Sequence, residues 1–421
     1  MPKKQKWDLS DLKMNMTSRS GGWSFLHRIL LLRQLTLEEL YEAWGAINKA
    51  VNSLTKLKKR YVIPVFLILL MVIIHIIARL STDFADFYVM NIFPVITSCF
   101  SFVSGIFPFS LGEIMILIAI LLALIGIPLT IILLIVKKNS RKKITGIFFT
   151  AVLWILAYIT VTENMNCFIM YQCTPFSQRY LSSKEHPRSE LISLYSALID
   201  KTNELALEVP RDKDDRFCIT ADIDSEAKKA MKKAAEKYPQ LKGYYPDAKP
   251  ILFSYFMSQS NLSGIYFPFS LESNYNDDMV KNNLPATICH EYSHLKGIIQ
   301  EDEANFIAFI ATTGSDNVEF RYCGYLEALE YVHNQIYDTE ITEAYYLTDN
   351  ISDKVRRDWF RFMPDNYWEE NKKKEIIPTE TVSTVSESAI DTNIKLNGRE
   401  EGIDTYSYMV DLLLDYYFPA E

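Results

Sequence analysis

Histidine is scarce in this chain, with six in 421 residues. Cysteine is equally scarce, and the six cysteines never form a C-x-x-C pair. That excludes a thioredoxin-type dithiol and any zinc site built on such pairs. No internal repeat is present, so a solenoid is excluded. The first 60 residues hold no long apolar run, and no cleavable signal peptide fits there. The second half lacks a basic, aromatic-studded face, which removes nucleic acid as a partner.

What is present divides by charge. Residues 1–60 carry 12 Lys/Arg against 5 Asp/Glu, and residues 61–162 carry 6 against 3 and are otherwise almost wholly apolar. Residues 163–421 carry 26 against 44. The net charge of −8 thus hides a basic head and a strongly acidic body.

Three runs, 61–78, 111–136 and 144–161, are long and apolar enough to span a bilayer. The loop KKNSRKK, residues 137–143, puts five positive charges between the second and third. Basic loops stay cytoplasmic, so the head and this loop lie inside and the acidic body outside. The first span then acts as an uncleaved anchor. Phe84–Phe107 is also apolar but contains Asp86, Asn91 and Pro94. A span there would move the five-charge loop outside, so the segment is read as an outer-face helix or re-entrant segment. Ser110 and Glu113 form a capping box opening the second span. His75, within the first span, is expected to hydrogen-bond a neighbouring helix near the outer interface.

In the body, 187–209 and 224–238 read as amphipathic helices. The aromatic stretches 249–257 and 264–270 read as strands. Helical patterns return at 285–296, 301–312 and 318–337. Residues 372–393 read as a mobile polar excursion, and 404–418 as a closing apolar-faced helix. Trp23–Ala50, amphipathic, suits a partner or an anionic lipid surface.

The chemistry concentrates at His290-Glu291-Tyr292-Ser293-His294, an HExxH motif. On a helix, residues four apart share a face, so both imidazoles can reach one ion. Glu291 sits about 100° round from His290, placed to take a proton from water rather than to bind. Zinc with three protein ligands keeps an open position for catalysis. Pro285 and Gly297 give the helix a start and a stop.

The third ligand is expected from QEDEAN, residues 300–305. Glu301 and Glu303 cannot share a helix face, and Glu301 is preferred. Glu301-x-x-Ala304-Asn305 resembles the E-x-x-A-[DN] element of gluzincin-type peptidases. That resemblance implies Glu301 as ligand and Asn305 as the brace of a histidine. The metzincin pattern is disfavoured, because Gln300 stands where it needs a ligand; Met363 reads as a packing residue. The charge density around the motif excludes an intramembrane site. Gly264–Ser270 is a candidate edge along which an extended peptide pairs. Arg321, Tyr322, Tyr325 and His333 are candidates for stabilising an oxyanion. Cys167 and Cys173 fall just outside the third span, where a disulfide is possible. Cys289 reads as a small core residue.

PFSLGE (108–113), GIYFPFSLESNYN (264–276), LPATICHEYSHLKGIIQEDEANFIAF (284–309) and KLNGREEGIDTYSYMVDLL (395–413) together resemble a bacterial family. It is the one catalogued as domain of unknown function 3810, membrane proteins with a zincin-like outer domain. The resemblance covers about 61–417 and implies a membrane-bound, zinc-dependent peptidase-like protein. It transfers roles to His290, Glu291, His294 and Glu301, and supplies no substrate.

The expected fold class is α+β. A basic cytoplasmic region, 1–60, precedes a three-helix transmembrane region, 61–162. A mostly helical, zincin-like external domain with a small sheet, 163–421, follows. The expected function is a multi-pass zinc metalloendopeptidase at the outer face of a bacterial cytoplasmic membrane. Its metal ligands are His290, His294 and Glu301, Glu291 is its base, and protein or peptide is its substrate. The alternative is a non-catalytic zinc-binding envelope sensor or scaffold.

Overall fold

Uninterrupted apolar residues fold as helices wherever water cannot satisfy the backbone, and the N-terminal half of the computed structural model follows that rule. The structure describes residues 45, 59–359, 361–396 and 408–420. The basic head up to 58, with Trp23–Ala50, thus lies outside the described residues save Gly45. Helix α1 is Lys59–Leu80, α2 is Thr82–Ser104, α3 is Leu111–Val136, and α4 is Arg141–Glu163, whose helical run continues to Gln172. Four helices among the described residues are therefore long and apolar enough to cross a membrane.

Helix α2 differs from the others in what it touches. Val89, Phe93, Thr97 and Ser101, each four residues on, are all buried. Ser101 Oγ donates to the carbonyl of Leu271 at 2.9 Å. Asp86 pairs with Arg179 and accepts from the main chain of Thr174 at 2.7 Å. One face of α2 is thus built into the polar body. The other face leaves Val95, Phe102 and Val103 exposed. Within α1, His75 packs edge-on against Phe168. Its Nδ1 has no hydrogen-bond partner, against the expected interhelical bond.

The body adds α5 (Phe176–Tyr180), α6 (Arg188–Leu205), α7 (Ile223–Lys237), β1 (Lys249–Pro250), α8 (Ser254–Gln259), β2 (Gly264–Phe267) and β3 (Glu272–Tyr275). Then follow α9 (Leu284–His294), α10 (Glu301–Thr313), α11 (Val318–Asp338), α12 (Asp353–Asp358), α13 (Tyr367–Asn371), α14 (Thr379–Leu396) and α15 (Met409–Tyr417). Asp222 caps α7, as its side chain accepts from Ser225 N–H at 3.2 Å. The sheet order is β1-β3-β2, with β1 parallel and β2 antiparallel to β3. Helices α6, α7, α9, α10 and α11 enclose a core that includes Leu194, Tyr195, Tyr292, Phe306, Phe309 and Phe320, all fully buried.

Two expectations change. The strand expected at 249–257 ends at Pro250, and Ser254–Gln259 is helical; a short aromatic run fits either state by pattern alone. The polar excursion at 372–393 is largely helix α14. Val382 is buried there, with Ser386 and Ile390 half-buried at four-residue spacing on the same face. The closing helix expected at 404–418 is Met409–Tyr417, and its expected start at 404–407 lies outside the described residues.

Candidate metal centre

Helix α9 carries both histidines on one face and ends in a turn that the sequence dictates. Gly297 has φ +81°, the left-handed region that glycine enters without strain. Ile298 N–H donates to Ser293 O at 3.2 Å and Gly297 N–H to His294 O at 3.0 Å. This is a Schellman ending. The turn also delivers the Ile298 carbonyl to His294 Nδ1, at 2.7 Å. Helix α10 then begins at Glu301 and packs back against α9.

His290 Nε2 and His294 Nε2 stand 3.1 Å apart. Glu301 Oε2 lies 3.1 Å from the first and 3.9 Å from the second. His290 Nδ1 is 2.7 Å from Asn305 Oδ1. Both Nδ1 atoms therefore face oxygen acceptors and act as donors, which leaves lone pairs on the two Nε2 atoms. Two lone pairs at this distance repel unless a proton or a metal cation lies between them. Donors around one tetrahedral zinc stand roughly 3.3 Å apart. Among the described residues this is the group of three or more His, Cys, Asp or Glu able to hold one ion. The donor set thus fits zinc.

Glu303, the alternative ligand, is engaged elsewhere. Its carboxylate accepts from Phe176 N–H (2.9 Å), Ser177 N–H (2.8 Å) and Ser177 Oγ (2.8 Å). It caps α5 and is buried.

Glu291 is buried against β2. It accepts from the Tyr266 main chain, while its Oε2 has no hydrogen-bond partner. A Cβ on Gly264 would collide with the Glu291 carboxylate and come within 2.8 Å of Thr287 Cγ2; only glycine lets the strand approach so closely. Burial pushes the Glu291 carboxyl up to about 8. Burial opposes charge on His290, but its hydrogen bond to Glu301 and the charge of Glu301 outweigh this and raise it to about 9. Burial holds His294 down to about 4. The Tyr266 ring lies 5.7 Å from that of His294.

A cavity of about 360 Å³ adjoins α9, with Thr287, Glu327, Glu330 and Tyr331 in its wall. Thr287 is one turn before Glu291. Burial raises Glu327 to about 7 and Glu330 to about 8. Tyr331 adjoins Asn305. Sequence reasoning missed these three. Their signal was two carboxylates three apart in the otherwise apolar run YLEALEYV.

The residues expected to stabilise an oxyanion are engaged elsewhere. Arg321 binds the carbonyls of Ser315 (3.1 Å) and Asp316 (2.8 Å). Tyr322 donates to Asp358 at 2.6 Å. Tyr325 packs on Phe309, and His333 Nδ1 meets Tyr195 Oη at 2.8 Å. Cys167 and Cys173 are free thiols, and Cys289 is buried.

A family model described as "Protein of unknown function (DUF3810)" matches residues 88–414. No curated protein and no solved structure matches the chain.

Proposed function

The chain belongs to the DUF3810 family, whose description assigns no activity, and from the site itself we propose a membrane-anchored zinc metalloendopeptidase. Helices α1, α3 and α4 are its spans, α2 lies on the outer face, and the body works outside a bacterial cytoplasmic membrane. The basic loop 137–143 supports that orientation, and the buried face of α2 supports its place outside the bilayer core. A zincin-like arrangement of α9, α10 and edge strand β2 is part of this reading.

One observation carries the proposal. His290 Nε2 lies 3.1 Å from both His294 Nε2 and Glu301 Oε2, which are themselves 3.9 Å apart, while a buried, partnerless carboxylate oxygen of Glu291 stands on the same helix. His290, His294 and Glu301 would hold zinc, which would polarise the scissile carbonyl and acidify the attacking water. Asn305 and the Ile298 carbonyl orient the imidazoles. Glu291 takes one proton from the water as its oxygen bonds to the carbonyl carbon. It passes that proton to the departing nitrogen as the C–N bond breaks, and the water's second proton moves from the new carboxyl group to the amine, giving a carboxylate and an ammonium. A buried base at this position is superfluous for a scaffold that only holds metal.

Glu291→Gln tests this. Purified protein should keep its zinc by metal analysis and lose at least about 100-fold of its rate on a randomised peptide library. A zinc-loaded wild type that cleaves nothing in that library would instead support the non-catalytic sensor or scaffold.

A further inference from the structure

Strand β2 connects the candidate site to the apolar helices. Its first residue, Gly264, lies against the Glu291 carboxylate. Three residues on, Phe267 lies so close to Gly112, in the first turn of α3, that a Cβ there would strike the Phe267 ring. The following turn is fixed to the end of α4. Tyr158 Oη donates to Phe269 O at 2.6 Å, and their rings stack. Asn166 Nδ2 donates to Pro268 O at 2.7 Å. The β2–β3 hairpin therefore stands with its tip on the ends of α3 and α4. At 3.3 Å per residue, Glu291 is about 10 Å above that tip.

A neighbouring contact marks the same level. Glu113 accepts from the main chain of Leu252 (3.1 Å) and Phe253 (2.8 Å). The segment so held presents Leu252, Phe253 and Phe256 outward, 81%, 53% and 55% exposed. Large apolar side chains displayed beside the mouth of an apolar helix suit the lipid interface.

Strand β2 is also the edge of its sheet. An extended peptide pairing along its outer edge would run from the cavity at the Gly264 end toward lipid at the Phe267 end. We propose that the substrate is itself a membrane-anchored polypeptide, bound by its membrane-proximal stretch along β2 and cut within about ten residues of the bilayer. This rests on the hydrolytic reading and on α3 and α4 being membrane spans.

The test uses the full zinc-loaded chain in lipid nanodiscs and one randomised peptide pool in three forms. One form is joined directly to a dialkyl lipid, one is joined through a 40-residue Gly/Ser spacer, and one is free. The spacer form keeps the local concentration that tethering brings. The direct form should be cut about tenfold faster than the spacer form, with cuts clustered near the lipid. Equal cutting of both tethered forms would overturn the membrane-proximal assignment and leave the peptidase standing. Cutting of none would remove the peptidase, and this substrate with it. Independently, benzoylphenylalanine at position 253 should crosslink to lipid several-fold more than at exposed position 346; equal yields would overturn the placement of the hairpin.

Discussion

At the scale of single residues, the site separates two neighbouring carboxylates by what they touch. Glu301 faces two imidazoles, and Glu303 caps a helix 127 residues upstream in the chain. Glu301→Gln should lower zinc affinity at least tenfold with little change in melting temperature of the metal-free protein. Glu303→Gln should do the reverse, costing roughly 1–3 kcal/mol because buried amides lose a charged acceptor. Metal titration and denaturation of both variants check this; zinc loss in Glu303→Gln alone would exchange the assignments. The convergence of His290, His294 and Glu301 was legible beforehand, because i, i+4 spacing and a glycine-ended helix are local. The duty of Glu303 was not, since Phe176 and Ser177 are distant in sequence. Nor was Tyr331, whose neighbour Asn305 lies on another helix.

At the scale of elements, the turn between α9 and α10 does two jobs. It ends a helix and orients His294. Gly297→Ala forces a side chain into the left-handed region, at roughly 1–2 kcal/mol, and its Cβ would come within 2.8 Å of Val89 Cγ1 on α2. The expected result is lowered stability together with weakened zinc binding, since the Ile298 carbonyl shifts from His294. Unchanged zinc affinity in a folded variant would show that this carbonyl does not matter.

Helix α15 has its own pH-sensitive tie. His186 Nδ1 is 2.7 Å from Glu190 and Nε2 2.9 Å from Asp415. Burial opposes its charge, but the hydrogen bonds to Asp415 and Glu190 prevail and raise it above 6.5. A raised folded-state value means the stabilisation is complete below pH 6.5 and fades as pH climbs through that raised value. The melting temperature should therefore fall by roughly 1–4 °C across this window, and His186→Gln should flatten that component. The helices of the body were readable because their apolar residues recur at helical spacing. Strand β3 was not. Its residues Glu272, Ser273 and Asn274 are each 1% exposed, so the strand is polar yet buried and shows no apolar alternation.

At the scale of the whole molecule, the question is what makes the apolar helices and the body one unit. The capping box at Ser110 explains only half of the answer. Ser110 Oγ does accept from Glu113 N–H at 3.1 Å, but the Glu113 carboxylate turns to Leu252 and Phe253 instead of back to Ser110. The remaining free amides at the start of α3 are taken by the body. Glu272 accepts from Leu111 N–H (3.1 Å) and Gly112 N–H (2.9 Å). It also pairs with Lys249, which donates to Ser104 O at 2.7 Å. One buried ion pair thus joins β1, β3, the end of α2 and the start of α3. Removing one member strands the other charge away from water, at roughly 3–5 kcal/mol, whereas removing both can cost far less. Glu272→Gln and Lys249→Met should each lower the unfolding midpoint in nanodiscs strongly. The double variant should recover much of the loss, and a double-mutant cycle measures the difference. Because the hairpin that Glu272 anchors also carries Gly264 against Glu291, Glu272→Gln should reduce peptide cleavage while leaving zinc content intact. Simple additivity of the two single effects would mean that the pair is not what couples the body to its apolar helices.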